Sequence, residues 1–286
     1  MLKQRVITAL VLAAIFFPAL FAPTPIPFVV LVALLMGAAG WEWAHLVGIR
    51  GAGAWLTGVL CVALCLVLER GGAVHHPLTG FWQAAGAIWV VAGIAMLVRG
   101  LSGWGRLPRA WRWLAGVLVL CVAWLALARA RTIGINFLLS ILFLVWVADI
   151  AAYFSGRAFG GRLTGGRKLA PSISPGKTWE GVAGAVLGVW IVAAIWIVLD
   201  RSFFPQNPSL YTRLLDRGLP FLILGVLFLV GMSVVGDLSE SLVKRVAGVK
   251  DSSRLLPGHG GVLDRVDALL PTLPLALALL AFGFGR

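Results

Sequence analysis

Apolar residues run in long unbroken blocks along this chain, and the polar residues fall into the gaps between them. Nine blocks approach the length that crosses a bilayer, at roughly 6–22, 28–47, 52–68, 81–98, 113–128, 134–154, 179–199, 219–236 and 266–284. Within each block the apolar residues are continuous rather than alternating, which predicts helices and excludes an outer-membrane barrel. The pattern therefore predicts an all-α, polytopic integral membrane protein with about nine transmembrane helices. The first block follows Lys3 and Arg5, as a signal peptide would, but no small-x-small cleavage site precedes Pro23, so it reads as a retained anchor. Two polar gaps, about 156–178 and 237–265, are longer than the rest and lie in the C-terminal half. Residues 1–132 then read as a scaffold of five helices that could supply dimer contacts. Residues 133–286 read as the catalytic part, with helices six to nine and both polar loops.

Composition agrees with the pattern. The chain is 60% hydrophobic and 12% charged, where soluble domains are nearer a quarter charged. A net charge of +13 would suit nucleic acid, but the placement of the cations argues for a membrane instead. With the N-terminus in the cytoplasm, 17 of the 24 Lys and Arg residues fall inside and 7 outside, as the positive-inside rule expects. This orientation puts both long polar loops on the cytoplasmic side, where nucleotides are. Cys61, Cys65 and Cys121 all lie in apolar blocks and read as buried thiols with no disulfide framework. The absence of a fixed-period repeat weighs against an ion-coupled transporter of the inverted-repeat kind. Several of the 13 tryptophans sit near predicted span ends, as an interfacial belt would. Glu42 and His45, near the inner end of the second block, read as a polar pair at that interface.

The chemistry concentrates in residues 236–267. Five of the chain's 11 acids (Asp237, Glu240, Asp251, Asp264 and Asp267) sit there among five cations. Charge so close to lipid is costly and marks a functional site. Asp264 and Asp267 are three apart and share a helix face. Two such carboxylates repel unless a cation lies between them, and hard oxygen ligands with room for phosphate favour Mg²⁺ over zinc. The bland alternative is that both acids simply suit a helix N-terminus. Asp237, Ser241 and Lys244 lie at i, i+4 and i+7, so the carboxylate could complete a metal site while Lys244 holds a phosphate. His259 stands among Gly258, Gly260 and Gly261, whose backbone can approach an anion closely.

The other loop holds Arg157, Arg162, Arg167, Lys168 and Lys177, with Ser174-Pro175-Gly176-Lys177-Thr178 just before the seventh block. Gly-Lys-Thr suggests a P-loop, but Pro171 stands where the first glycine should be and no strand is expected before it. Ser174, Lys177 and Thr178 at a helix N-terminus still make an anion cradle. A merely basic cytoplasmic loop is the alternative. Asp149 lies inside the sixth block with Tyr153 and Gly156 on its face, and a carboxylate there should face the protein interior.

These residues resemble a known family. The run Ser241-Leu-Val-Lys244-Arg245-x4-Lys250-Asp251-x-Ser253-x2-Leu256-Pro257-x-His259-Gly260-Gly261-Val262-x-Asp264-Arg265-Val266-Asp267 is similar to the signature of the bacterial phosphatidate cytidylyltransferases, or CDP-diacylglycerol synthases. Asp149-x3-Tyr153-x2-Gly156-Arg157 and Ser174-Pro175-x-Lys177-Thr178-x-Glu180-Gly181 resemble its other motifs. Gly176 departs from the pattern, since many members carry a second lysine there, which puts a two-lysine clamp in doubt. The first five blocks match in character only. The resemblance implies transfer of a cytidylyl group from CTP to phosphatidate, with release of pyrophosphate. It also implies Mg²⁺, a monovalent cation such as K⁺ beside it, a homodimer, and a bacterial inner membrane with the site on the cytoplasmic face. On that footing Asp237, Asp264 and Asp267 are expected at the metal, and Lys244, Arg245, Lys177 and Lys168 at phosphates. His259, Gly260 and Gly261 are expected at the nucleotide, with Ser174, Thr178 and Asp149 lining the substrate site. A nucleotidyltransferase acting on another lipid phosphate would share this site, and an ion-coupled transporter using Asp149 and Asp237 is a further alternative.

Overall fold

The computed structural model describes residues 2–282. Eleven helices and one hairpin follow in the order α1 (Leu2–Phe21), α2 (Ile26–Leu46), α3 (Ala52–Arg70), α4 (Thr79–Arg106), α5 (Arg109–Ile133), α6 (Ile135–Phe159), β1 (Lys168–Ala170), β2 (Ser174–Thr178), α7 (Trp179–Phe203), α8 (Leu210–Leu215), α9 (Leu219–Val246), α10 (Leu263–Val266) and α11 (Leu269–Ala281). Eight of them, α1 to α7 and α9, are long and apolar enough to cross a membrane, so this is an all-α polytopic membrane protein. With no water in a bilayer core, helices satisfy every backbone group within the segment.

The ninth apolar block behaves differently. Its described part takes in α11, whose 13 residues include Pro274, and α10 runs into it through right-handed helical backbone at Asp267 and Ala268. Almost every residue of α11 is buried, because it packs against α4, α9 and α5 inside the bundle. It is apolar because it forms the protein's centre, whereas α3 and α4 are apolar because they face lipid with Leu56, Val59, Val91 and Val98 exposed. The Arg217 guanidinium donates to the carbonyls of Leu279 and Leu280 and so satisfies the end of α11.

Close helix approach depends on small residues. α6 and α7 form the most extensive helix pair, and α7 presents Gly184 and Gly188 to α6. A Cβ at Gly188 would lie 2.8 Å from the Ala151 methyl group. α4 breaks at Gly100, whose φ of 62° and ψ of −160° are not helical. The polar loop after α6 was expected without strands but folds into the antiparallel β1–β2 hairpin, with Lys168 opposite Thr178. Thr178 then caps α7 by accepting from the Gly181 N–H at 3.1 Å.

Candidate active site

The C-terminal end of α9 carries the first part of the site. Asp237 accepts from Ser241 Oγ at 3.3 Å and is ion-paired with Lys177, which arrives from β2. The expected i, i+4 and i+7 face is therefore real at Asp237 and Ser241. Lys244 turns toward the following loop: its ammonium donates to Asp264 Oδ1 at 2.6 Å and pairs with the buried Glu240. Arg245 is spent on main chain, donating to the Ile173 carbonyl at 3.2 Å and tying the hairpin to α9.

Asp264 organises the loop before it. It accepts from the Ser252 N–H at 3.0 Å, Ser252 Oγ at 2.9 Å and the Gly261 N–H at 2.8 Å. Burial alone would raise the Asp264 carboxyl, but Lys244 and these N–H donors outweigh it and hold the group at about 2. Because that lies below the ordinary carboxylate value, the stabilisation is full at neutral pH and is lost as pH falls from about 4 through 2. Asp267 is freer, accepting among the described residues only from its own neighbour Ala268 N–H at 2.7 Å. Its backbone is pressed against α9, since a Cβ at Gly236 would lie 2.6 Å from the Asp267 carbonyl oxygen. That contact sets Asp267 beside Asp237, and Asp149 of α6 lies within electrostatic reach of both.

A cavity of about 510 Å³ opens among α6, the hairpin, α7 and α9. Asp149, Tyr153, Arg157, Ser174, Lys177 and Asp237 face it, so an acid pair, two cations and two hydroxyls converge from three elements. Lys168 lies exposed at the start of β1, and the Thr178 hydroxyl is committed to its helix cap. His259 stands on the far side of the Asp264 loop. Its backbone N–H donates to the Leu256 carbonyl at 2.8 Å, its Nδ1 is buried with no partner among the described residues, and Gly260 holds a φ of +83° beside it.

Four residues support the site in ways that the sequence alone does not show. Glu42 does not pair with His45, whose Nδ1 lies 2.9 Å from the Trp41 carbonyl of its own helix. Glu42 is fully buried and accepts from Ser253 Oγ at 2.6 Å, the Val262 N–H at 2.9 Å and the Leu263 N–H at 2.7 Å. The reason is physical: these are the orphan donors of α10 and its approach, and a buried carboxylate satisfies them. Glu180 plays the same part in the other loop, with Oε1 accepting from the N–H groups of Gly161 and Thr164 at 3.1 and 3.0 Å. α1 also reaches the site. Arg5 Nε donates to the Gly258 carbonyl at 3.1 Å and Thr8 Oγ1 to the Pro257 carbonyl at 2.9 Å. Replacing Thr8 by Val removes one such bond, worth ~1 kcal/mol, so amide exchange at residues 256–261 should speed up about fivefold. Unchanged exchange there would show that α1 does not hold the loop.

Among the described residues, no three acid, histidine or cysteine side chains form a ready metal cage. The donor set nonetheless suits Mg²⁺, which takes one or two carboxylates and completes its shell with water and substrate phosphate. Asp237 and Asp267, side by side with Asp267 hardly bonded, offer that set.

The site thus has the make-up of a membrane-embedded enzyme that handles phosphate anions beside a carboxylate pair. The chain belongs to the cytidylyltransferase family, which it matches over residues 3–282. It is 40% identical to a phosphatidate cytidylyltransferase of Pseudomonas aeruginosa, covering 100% of this chain and 99% of that protein. It is 38% identical to the Haemophilus influenzae protein of the same name, with 96% of each covered. A Bacillus subtilis relative, also named phosphatidate cytidylyltransferase, aligns at 38% identity over 148 residues, about half of either chain.

Proposed function

We propose that this protein transfers the cytidylyl group of CTP to phosphatidate, forming CDP-diacylglycerol and pyrophosphate. The observation that carries this reading is the convergence of Lys177, Asp237 and Asp149 on one cavity, with Asp267 beside Asp237, in a chain of this family. A non-bridging oxygen of the lipid's phosphomonoester attacks the α-phosphorus of CTP. The bond from that phosphorus to the α,β-bridging oxygen breaks, and pyrophosphate leaves. A phosphomonoester loses its second proton near pH ~6, so the nucleophile is already an anion and needs no strong base. The barrier is then one of bringing two anions together, which fixed positive charge lowers.

Lys177 and Lys168 on the hairpin, with Ser174, supply positive charge and donors to the triphosphate in this proposal. Thr178 fixes the hairpin to α7, and Arg245 fixes it to α9. Lys244 holds Asp264 in place and stands ready to meet the phosphates. His259, Gly260 and Gly261 position the nucleotide. Asp237 and Asp267, with Asp264 steadying the turn between them, would hold Mg²⁺, and a monovalent ion such as K⁺ beside it belongs to the same proposal. Magnesium, when bound, neutralises the triphosphate and the departing pyrophosphate. We place the protein in a bacterial inner membrane with this site facing the cytoplasm, where CTP is available, and infer that it works as a homodimer.

The test is incorporation of labelled cytidylyl groups into lipid by the purified protein, with Mg²⁺, CTP and phosphatidate. An isoprenoid-ether phosphate serves as the rival acceptor and phosphatidylcholine as a control. Product only with phosphatidate is the expected result. Preference for the ether phosphate would change the acceptor, and no CTP consumption with any lipid would end the reading. Lys177→Ala should raise KM for CTP at least ~tenfold, the loss of one charge-assisted contact of about 1.5 kcal/mol. Unaltered KM and kcat would clear Lys177 of phosphate binding.

A further inference from the structure

A second cavity, of about 520 Å³, lies between α4, α5 and α9 on the other side of α9 from the first. Trp89 and Met96 of α4, Val119 of α5 and Val243 of α9 are among its walls, which are almost wholly apolar. Its rim is lipid-facing: Ile88, Leu107 and Trp111 are 66%, 41% and 63% exposed on helices that cross the membrane or at their ends. Glycine lets α4 and α9 meet closely at this wall, for a Cβ at Gly93 would lie 2.9 Å from Val235 Cγ1.

Two features orient this cavity. First, the charged lining residues among those described, Arg99 and Glu240, lie in the C-terminal parts of α4 and α9, the cytoplasmic side in the proposed orientation. Glu240 is neutralised by Lys244, whereas Arg99 is exposed and in no ion pair among the described residues. Second, inward of Arg99 the lining runs along α4 to Ile88, while Gly103, Trp104 and Leu107 line it on the headgroup side of the Gly100 break. Eleven residues of helix rise about 16 Å, close to the depth of one leaflet of a ~30 Å hydrocarbon core. The cavity is therefore as deep as one acyl chain is long in a single leaflet, with a free cation where that leaflet's headgroups lie.

It also borders the candidate site across α9. Gly236 and Glu240, on either side of Asp237, line it, as do Leu263 and Leu270, which bracket Asp264 and Asp267. A chain lying there comes within one helix width, about 10 Å, of Asp237.

We propose that this cavity seats one acyl chain of the lipid phosphate substrate, with Arg99 facing the anionic headgroup. The proposal rests on the phosphatidate reading above. It makes the α4–α9 crevice, rather than the outer surface of the bundle, the place where lipid is selected. Hydrocarbon gains no hydrophobic energy on leaving lipid for such a cavity, so van der Waals fit and the headgroup charge must supply the selectivity.

The test is photolabelling of the full-length protein in nanodiscs. The probes are phosphatidate and phosphatidylcholine carrying the same diazirine-tagged acyl chain. Phosphatidate should label peptides of α4 and α9 at least ~tenfold more than the choline lipid, and unlabelled phosphatidate should compete, as a headgroup–Arg99 contact of about 1.4 kcal/mol requires. Equal labelling by both probes would make the cavity a general lipid crevice and overturn the proposal. Ala92→Trp and the milder Ala92→Leu put bulk into the cavity. They should raise the ratio of KM for dioleoyl to dihexanoyl phosphatidate, by about tenfold for the larger residue. A ratio that stays constant in both variants also overturns it. Specific labelling without turnover would sink the reaction while keeping the subsite. Turnover without labelling here would sink the subsite while keeping the reaction.

Discussion

Asp237→Asn and Asp267→Asn should each lower kcat by at least tenfold, and the double substitution should do no worse than the more damaging single one. Each change removes one formal charge while keeping size and shape, so the fold has little to lose. Among the described residues Asp267 accepts one short-range hydrogen bond, and Asp237 loses its ion pair to Lys177. A tenfold loss is a rise of ~1.4 kcal/mol in the barrier, a low bound for displacing metal-held charge from the triphosphate. Non-additivity is expected because the two carboxylates act on the same ion. Steady-state kinetics at saturating CTP and phosphatidate, with Mg²⁺ varied, measure it. Full activity in both variants would remove the carboxylate pair from the mechanism.

The second large effect is structural. Glu42→Ala strips the Val262 and Leu263 N–H groups and the Ser253 hydroxyl of their acceptor in a place closed to water. Each buried unsatisfied donor costs about 1–3 kcal/mol, so a total near 3 kcal/mol is a conservative expectation. In a chain of this size that lowers Tm by roughly 5–10 °C. Because Glu42 belongs to α2 and its partners to the loop before α11, amide exchange should accelerate at residues 252–263 more than anywhere in α2 itself. Glu42→Gln keeps one acceptor oxygen and should fall between the two. A Tm within about 1 °C of wild type for Glu42→Ala would mean that the loop holds itself.

Which features could be read from the sequence follows from how local their physics is. Blocks of apolar residues have one stable form in lipid, so the helices and the two polar loops were plain from pattern alone. Asp237, Ser241 and Lys244 were placed on one helix by spacing, which is a local property. Lys244 nonetheless turned away to Asp264, because only the folded loop reveals where its partner lies. Glu42 and Glu180 looked like interfacial or motif acids, since nothing nearby in sequence shows the backbone donors they satisfy more than 200 and about 16 residues away. α11 differs from the eight long helices in being buried by protein on nearly every side, which the sequence does not show because burial in protein and burial in lipid leave the same apolar signature. The β1–β2 hairpin was missed because glycines and prolines mark turns without specifying which residues pair.

The central claim is that Asp237 and Asp267 hold a divalent ion against the triphosphate of CTP. Mn²⁺ in place of Mg²⁺ makes this measurable without turnover, through the loss of free-ion signal in electron paramagnetic resonance as protein is added at fixed CTP. The expected result is saturable Mn²⁺ binding that CTP strengthens in the wild-type protein and that disappears in the Asp237→Asn, Asp267→Asn double variant. Equal Mn²⁺ binding by the double variant, with the same response to CTP, would contradict it.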